Sequence, residues 1–329
     1  MVSISDIQGS ISEQLAGFDD FVATHFRSDE SAMQAMLADA LASRGKGVRP
    51  MLVFLTFGLC GGVDCGSVGR ANIAAMMCEM IHLASLIHDD VLDESSMRRG
   101  RPTLNSVWQS KRAVLAGDYI LAKNLSVGMG SGEFDLVAHI VEAIGRLCEG
   151  EVLQDDCAKR GVASLNDYMR VIELKTASLL SVSASSGGLA AGAGASAVAT
   201  LGEFGRLVGL AFQIQDDILD YGDGVELGKD CGQDLREGKF TLPLLMAMDC
   251  CGDCDERAGV AELVRGCVAG DGDFERVMSF VQLYNGVDLS RKKAEEYIAS
   301  AHRLLSSFDD SKYKTSLFRL CDYVLERLK

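Results

Sequence analysis

The sequence predicts an all-α protein, and three observations carry that expectation. Its 329 residues include only three prolines, Pro50, Pro102 and Pro243, so very long stretches hold no helix breaker. Apolar residues step at three and four almost throughout, as in Ile4, Ile7, Ile11, Leu15, Phe18 and Val22. No stretch sustains the apolar–polar alternation of a half-buried strand. With 48% hydrophobic residues the chain can bury a substantial core, and roughly ten or more helices fit the pattern.

Helical patterning runs from about Ile4 to Leu41, interrupted by a polar stretch near Arg27–Asp29. A glycine-flanked basic turn, Arg44–Pro50, leads into an apolar helix from Met51. Gly61–Asp64 reads as a loop, and a strongly apolar helix follows from about Val68 to Leu92. The polar, basic loop Glu94–Thr103 separates it from a helix carrying Trp108. Further helices are expected over Val114–Met129, Phe134–Ala158, Leu165–Ser185 and Ala197–Leu219. Tyr221–Lys239 is glycine-rich and charged, hence a loop; helix resumes at Leu242, with surface turns at Cys250–Glu256 and Gly270–Asp273. No low-complexity linker divides the chain, so a single domain over 1–329 is expected.

Between Lys175 and Glu203 no charged residue occurs, a length sufficient to span a bilayer. Ser183, Ser185, Ser186, Gly187, Gly188, Gly192 and Gly194 crowd it, however, so a buried helix, a small-residue turn and a second helix explain it better. The chain reads as soluble. A formal charge of −15 argues against nucleic acid and anionic membrane as partners, since both reward a basic surface. It leaves room for an anionic small substrate wherever Lys and Arg cluster. Eleven cysteines include one C-x-x-C, Cys251 and Cys254, without a second pair at zinc spacing. No charged-then-apolar segment opens the chain, so free thiols in a reducing cytoplasm are the expectation.

Two segments repeat one device. His88-Asp89-Asp90-Val91-Leu92-Asp93 and Gln215-Asp216-Asp217-Ile218-Leu219-Asp220 share D-D-aliphatic-Leu-D, and each ends an apolar helix. On a helix Asp89 and Asp93 stand one turn apart on one face, with Asp90 about 100° away; Asp216, Asp217 and Asp220 repeat this. Like charges at that spacing destabilise a helix, and the C-terminal end of the macrodipole disfavours them further. A single copy is an ordinary solvated helix end. Two copies, each continuing an apolar run beside a basic segment, call for a cation. Oxygen ligands without matching His or Cys favour a hard metal such as Mg²⁺, which shares its coordination with water and substrate phosphate.

Basic groups supply the other half. Lys46 and Arg49 lie in the first glycine turn, and Arg98, Arg99 and Arg101 follow the first aspartates. Lys175, Lys229 and Lys239 accompany the second set, in sequence or by plausible folding. Arg matches phosphate bidentately, Lys gives a compact charge, and flanking glycines let backbone amides approach an anion. Singly, each is more often a surface charge. Together with the aspartates they describe a site for two diphosphates and several metal ions. His82 lies seven residues before Asp89 on the same stripe, as Gln213 does before Asp220; outside this context His82 would be a satisfied core histidine.

With these residues in view, the chain resembles the trans-isoprenyl diphosphate synthases, the polyprenyl synthetase family, and is similar to their long-chain bacterial members. The motifs are G-K-G-V-R-P (45–50), H-L-A-S-L-I-H-D-D-V-L-D-E-S-S-M-R-R-G-R-P-T (82–103), G-D-Y-I-L-A (117–122) and G-E-V-L-Q (150–154). E-L-K-T-A-S-L (173–179), F-Q-I-Q-D-D-I-L-D (212–220) and G-K-D-C-G-Q-D-L-R-E-G-K (228–239) complete the ordered set, which spans most of the chain. The resemblance implies an all-α bundle around a central cavity, usually a homodimer, with the two aspartate motifs facing across its mouth. It implies that Asp89, Asp93 and Asp216 ligate Mg²⁺, about three ions per site, and that Asp90, Asp217 and Asp220 complete the motifs directly or through water. Arg98, Lys175 and Lys229 should hold the allylic diphosphate (farnesyl or geranyl), with Lys239 nearby. Lys46, Arg49, His82 and Arg99 should hold isopentenyl diphosphate, and Thr176 and Gln213 should face the reacting carbons. Asp230 and Cys231 depart from the usual loop residues beside Lys229, and Cys250–Asp273 matches no motif.

The implied chemistry is ionisation of the allylic diphosphate, attack by the isopentenyl double bond and loss of a proton to released diphosphate. Ala84 and Ser85, small residues one turn below Asp89, imply a deep tunnel and a long product such as octaprenyl diphosphate, with Ser126 and Gly128 as further small lining candidates. The alternatives are a short-chain farnesyl or geranylgeranyl synthase and a non-catalytic subunit of a heteromeric synthase. A terpene cyclase would not need the second basic set.

Overall fold

Nearly every periodic segment is a helix in the computed structural model, which describes residues 2–62, 65–161, 163–222, 232–269 and 273–326. In chain order the first helices are α1 (Ile4–Gln8), α2 (Ser12–His25), α3 (Ser31–Ala42), α4 (Val48–Leu59) and α5 (Cys65–Leu92). Then come α6 (Leu104–Trp108), α7 (Ser110–Gly130), α8 (Phe134–Arg160), α9 (Leu165–Ile172), α10 (Ser178–Ala190) and α11 (Ala195–Leu219). The C-terminal part holds α12 (Gln233–Arg236), α13 (Leu242–Cys250), α14 (Cys254–Ala269), α15 (Phe274–Leu283), α16 (Gly286–Leu305) and α17 (Lys312–Glu326). Local chemistry sets several boundaries. Ser3 with Asp6 and Ser164 with Asp167 form capping boxes that satisfy the first amides of α1 and α9. Gly47, left-handed at φ 65°, starts α4 three residues earlier than expected, and Pro50 is tolerated in the first turn, where no intrahelical N–H is required.

Helices α10 and α11 form the centre, packed on each other and on α4, α5, α8 and α16. Their separation is set by small residues: a β-carbon on Gly205 would collide with the Leu180 carbonyl oxygen. Phe54, Phe57, Phe204, Met76, Met77 and Leu52 are fully buried in the surrounding core. The uncharged stretch after Lys175 is α10, a turn and the start of α11, as its serines and glycines imply. Two helices, within α5 and α11, are long and apolar enough to cross a membrane, and both are core helices of the bundle.

The structure departs from the sequence-based expectation at two places that matter for the site. Met97–Arg98 and Arg101–Pro102 pair as a two-residue antiparallel ribbon inside the loop after α5. Its turn, Arg99-Gly100, has both φ angles positive, at 51° and 74°, the pattern of a tight hairpin turn. The expected single helix over 165–185 is instead α9, a π-helical turn over Glu173–Ala177, and α10. Such a turn inserts one residue and rotates the side chains that follow, here Lys175 and Thr176.

Candidate active site

Helix α5 ends at Leu92, so Asp89 and Asp90 lie on its last turn and Asp93 just beyond. Asp90 is buried and accepts a 2.7 Å bond from Arg98 Nε across the ribbon. Asn105 and Thr103 tie the same loop down through the carbonyls of Asp90 and Ser95. Asp89 is pushed up to about 6 by burial; Lys175 opposes this, while Glu151 and Asp93 add to it.

The second aspartates end α11. Asp220 spends its carboxylate on the amides of Gly232, Gln233 and Asp234, each at 3.1 Å, and so caps α12. Asp217 is buried with both oxygens engaged: Tyr168 Oη donates to Oδ2 at 2.6 Å, and Gln213 Nε2 donates to Oδ1 at 2.9 Å. Burial and the nearby Asp234 charge raise its pKa despite these bonds. Thr176 Oγ1 in turn donates to Gln213 Oε1 at 2.7 Å.

The two motifs open on one cleft. Asp93 of the first acts on Lys239, and Asp216 of the second acts on Asp234, which faces the same lysine. Burial disfavours the Lys239 charge, yet Asp234 and Glu237 outweigh that and raise its pKa. Lys175 pairs with Glu151 at 2.5 Å, and Lys239 pairs with Glu237. The π-turn brings Lys175 against α8 where Gly150 has no side chain: a β-carbon there would lie 2.8 Å from the Lys175 amide nitrogen. A cavity of about 160 Å³ borders this region, lined by Lys175, Thr176, Gln213, Asp217, Lys239 and Tyr168 among others.

A second basic group gathers around the start of α4. Arg49 Nε is buried without a hydrogen-bond partner, and burial lowers the Arg49 pKa to about 10. Burial holds half-buried His82 well below its ordinary pKa, and the charges of Arg49, Arg99 and Arg98 lower it further, so all four share one neighbourhood. Arg99 lies over Gly45, where a β-carbon would collide with Nη1. Lys46 Nζ donates to Tyr323 Oη at 2.6 Å and lies 5.4 Å from the centre of that ring. Lys229 lies outside the described residues.

Among the described residues no three His, Cys, Asp or Glu side chains converge as a ready-made metal cage. The donor set still suits a hard cation shared with phosphate: Asp89, Asp93 and Asp216 offer oxygen only, and burial raises the Asp89 pKa beyond what Lys175 and Arg98 offset. Below Asp89, Ala84 is fully buried and Ser85 half-buried, its hydroxyl turned to the His82 carbonyl. Gly128 packs between Met77 and Val137, but Ser126 is exposed, because its stripe of α7 points away from α5; it does not line the interior.

Residue-by-residue reading passed over Glu79, Glu151, Tyr168, Asp234 and Glu237. Glu79 had a visible signal, a lone acid three residues before His82 in an apolar run, and it is buried facing Arg49, Arg44 and Arg99. Glu151, Asp234 and Glu237 sit inside the quoted motifs. Tyr168 had no signal beyond an apolar stripe.

Residues 30–278 match the family model described as Polyprenyl synthetase. The chain is 32% identical over 331 residues to an octaprenyl diphosphate synthase of Escherichia coli, covering 99% of both. It is also 32% identical over 295 residues to a short chain isoprenyl diphosphate synthase of Methanothermobacter thermautotrophicus, covering 87% of this chain and 88% of that one. Its fold superposes on a decaprenyl diphosphate synthase from Rhodobacter capsulatus with TM-score 0.91 and 32% identity, over 99% and 100% of the two chains. A polyprenyl synthase from Caulobacter crescentus, crystallised with calcium and isoprenyl diphosphate, gives TM-score 0.89 and 28% identity over 99% and 98%. With paired aspartate motifs and two basic groups on an all-helical frame, the chain belongs to the polyprenyl synthetase family and is a prenyltransferase, a trans-prenyl diphosphate synthase.

Proposed function

We propose that this chain is a long-chain synthase, adding isopentenyl diphosphate repeatedly to an allylic diphosphate, with octaprenyl diphosphate as product. The observation that carries the length is the absence of bulk at Ala84 and Ser85, one turn below Asp89, where a growing apolar tail would descend. Identity does not decide it, since octaprenyl and short-chain relatives stand at the same 32%.

In this reading Asp89, Asp93 and Asp216 would hold Mg²⁺, which would supply neutralising charge for the departing diphosphate. Lys175, Arg98, Lys239 and Lys229 hold that diphosphate; Lys46, Arg49, Arg99 and His82 hold the isopentenyl one. Half-buried His82, kept neutral by desolvation and its arginine neighbours, donates one N–H without adding charge. Thr176 and Gln213 turn oxygen toward the allylic carbon as positive charge develops there, and the apolar walls keep water from it. The released diphosphate takes the final proton, so no side-chain base is required. The fold acts as a single domain, supported by one continuous hydrophobic core reaching from Ile7 to Val324.

Homodimer formation is proposed through α7 and α8. Leu115, Ala122, Ser126 and Met129 on α7 and Phe134, Ala138, Cys148 and Val152 on α8 make an exposed face of apolar and small residues that suits a second copy.

The test is product analysis by mass spectrometry with the purified chain, farnesyl and isopentenyl diphosphates and Mg²⁺. Wild type should run past geranylgeranyl to octaprenyl, EDTA should abolish turnover, and Ala84→Tyr should stop products at farnesyl or geranylgeranyl. A wild type that stops there itself overturns the long-chain reading, and an inactive chain points to a heteromeric subunit.

A further inference from the structure

Tyr168 lies on α9, one turn and a half before the π-helical turn that carries Thr176, and it is 6% exposed. Its hydroxyl begins a chain of three hydrogen bonds that runs from the buried Tyr168–Asp217 pair to half-buried Gln213 and Thr176: Tyr168 to Asp217 at 2.6 Å, Gln213 to Asp217 at 2.9 Å, and Thr176 to Gln213 at 2.7 Å. We propose that Tyr168 is a positioning residue, which by holding the Asp217 carboxylate fixes which way the Gln213 carboxamide and the Thr176 hydroxyl point. The proposal rests on the reading that places Thr176 and Gln213 beside the ionising carbon.

A carboxamide has one donating and one accepting end, nearly equal in shape, so its neighbours decide its orientation. Asp217 Oδ1 accepts from Gln213 Nε2, and this turns Oε1 toward Thr176. Thr176 then spends its single proton on Oε1, which leaves its own lone pairs free for the cavity they border. Reversing Gln213 would turn an N–H toward Thr176 and toward the place where a cation forms. Asp217 is 4% exposed, so each of its oxygens needs a donor from the protein. Gln213 is one; Tyr168 is the other.

Because both oxygens of Asp217 are engaged, this chain gives the second aspartate of the motif a role distinct from metal ligation. The experiment therefore separates positioning from metal binding and from plain stability. Tyr168→Phe keeps the ring and removes only the donor. Turnover should fall about ten- to hundredfold, the scale of one hydrogen bond to a charged group, while KM for both diphosphates changes less than about threefold. Combining it with Gln213→Ala should add little to the loss from Gln213→Ala alone, because Tyr168 acts through Gln213. Asp217→Asn, which keeps the Tyr168 side chain but changes its acceptor, should reproduce the same kcat loss with an unchanged Mg²⁺ concentration for half-maximal rate; it also serves if Tyr168→Phe does not fold. Thermal melts of the metal-free proteins give a readout independent of turnover. A lowered Tm with kcat intact makes Tyr168 merely structural and overturns the proposal. So does full additivity with Gln213→Ala, or a raised Mg²⁺ requirement in Asp217→Asn. If Gln213→Ala leaves kcat unchanged, the placement of the reacting carbon falls, and the proposal with it.

Discussion

His82 and Gly45 are single residues whose surroundings make sharp claims. Burial, then Arg49, Arg99 and Arg98, lower the His82 pKa in the folded protein, whereas the unfolded chain titrates near the ordinary value of about 6.5. Above that value the ring is neutral in both states. As pH falls below it the unfolded chain binds a proton that the folded site refuses, so stability is lost on acidification. His82→Gln should therefore flatten the decline of Tm between about pH 6.5 and 5; an unchanged slope would show that His82 is not the group responsible. Gly45 touches the Arg99 guanidinium so closely that any β-carbon must displace it. Since the guanidinium end is flexible, Gly45→Ala should cost little stability yet raise KM for isopentenyl diphosphate about tenfold, as one displaced bidentate contact would. Arg99→Ala and Lys46→Ala should do the same. Equal loss for the allylic substrate in steady-state titrations would undo this assignment.

Among the elements, the π-helical turn was the least legible from sequence. Spacing by three and four is nearly blind to one inserted residue, so Leu165–Ser185 read as one helix. What makes the turn tenable is on another element, Gly150 of α8, which admits the Lys175 amide where any side chain would collide. Gly150→Ala should cost about 1–3 kcal/mol by denaturant midpoint, the usual scale of core overpacking, and weaken allylic binding through Lys175. A fully active, equally stable Gly150→Ala protein would mean that the turn does not depend on this approach. The ribbon Met97–Pro102 was hidden for a different reason: two paired residues per strand carry no alternation, and its turn uses Arg99 at positive φ where glycine or asparagine would have signalled it. By contrast α5 and α11 were plain, because long apolar runs ending in acid leave few alternatives. The paired aspartate motifs were legible by repetition. Tyr168 was not, because its pairing with Asp217 on a distant element leaves no local pattern; Asp234 and Glu237 stood inside a motif whose lysines drew the attention.

At the scale of the whole molecule, the exposed face of α7 and α8 predicts self-association. Leu115→Glu places a charge on that face without touching the core and should shift sedimentation from dimer to monomer; a wild type that sediments as a monomer at micromolar concentration would remove the premise. Charge distribution has a wider consequence. Lys175, Lys239 and Arg98, the described cations that would meet the allylic diphosphate, are each already paired with a carboxylate of this chain: Glu151, Glu237 and Asp90. The chain as a whole carries −15. A bare diphosphate approaching the cleft thus meets neutralised cations among surplus acids, and field lines that turn it away. A diphosphate that arrived with its divalent cation would bring the charge those acids lack, and would free the lysines by exchange of partners. On that reading the cleft would act as a customs post, admitting the ion pair and refusing the lone anion. Initial rates should follow the concentration of the complexed substrate and stay flat as free diphosphate is raised at constant complex; strong competitive inhibition by the free form would show that the lysines are open before the metal comes.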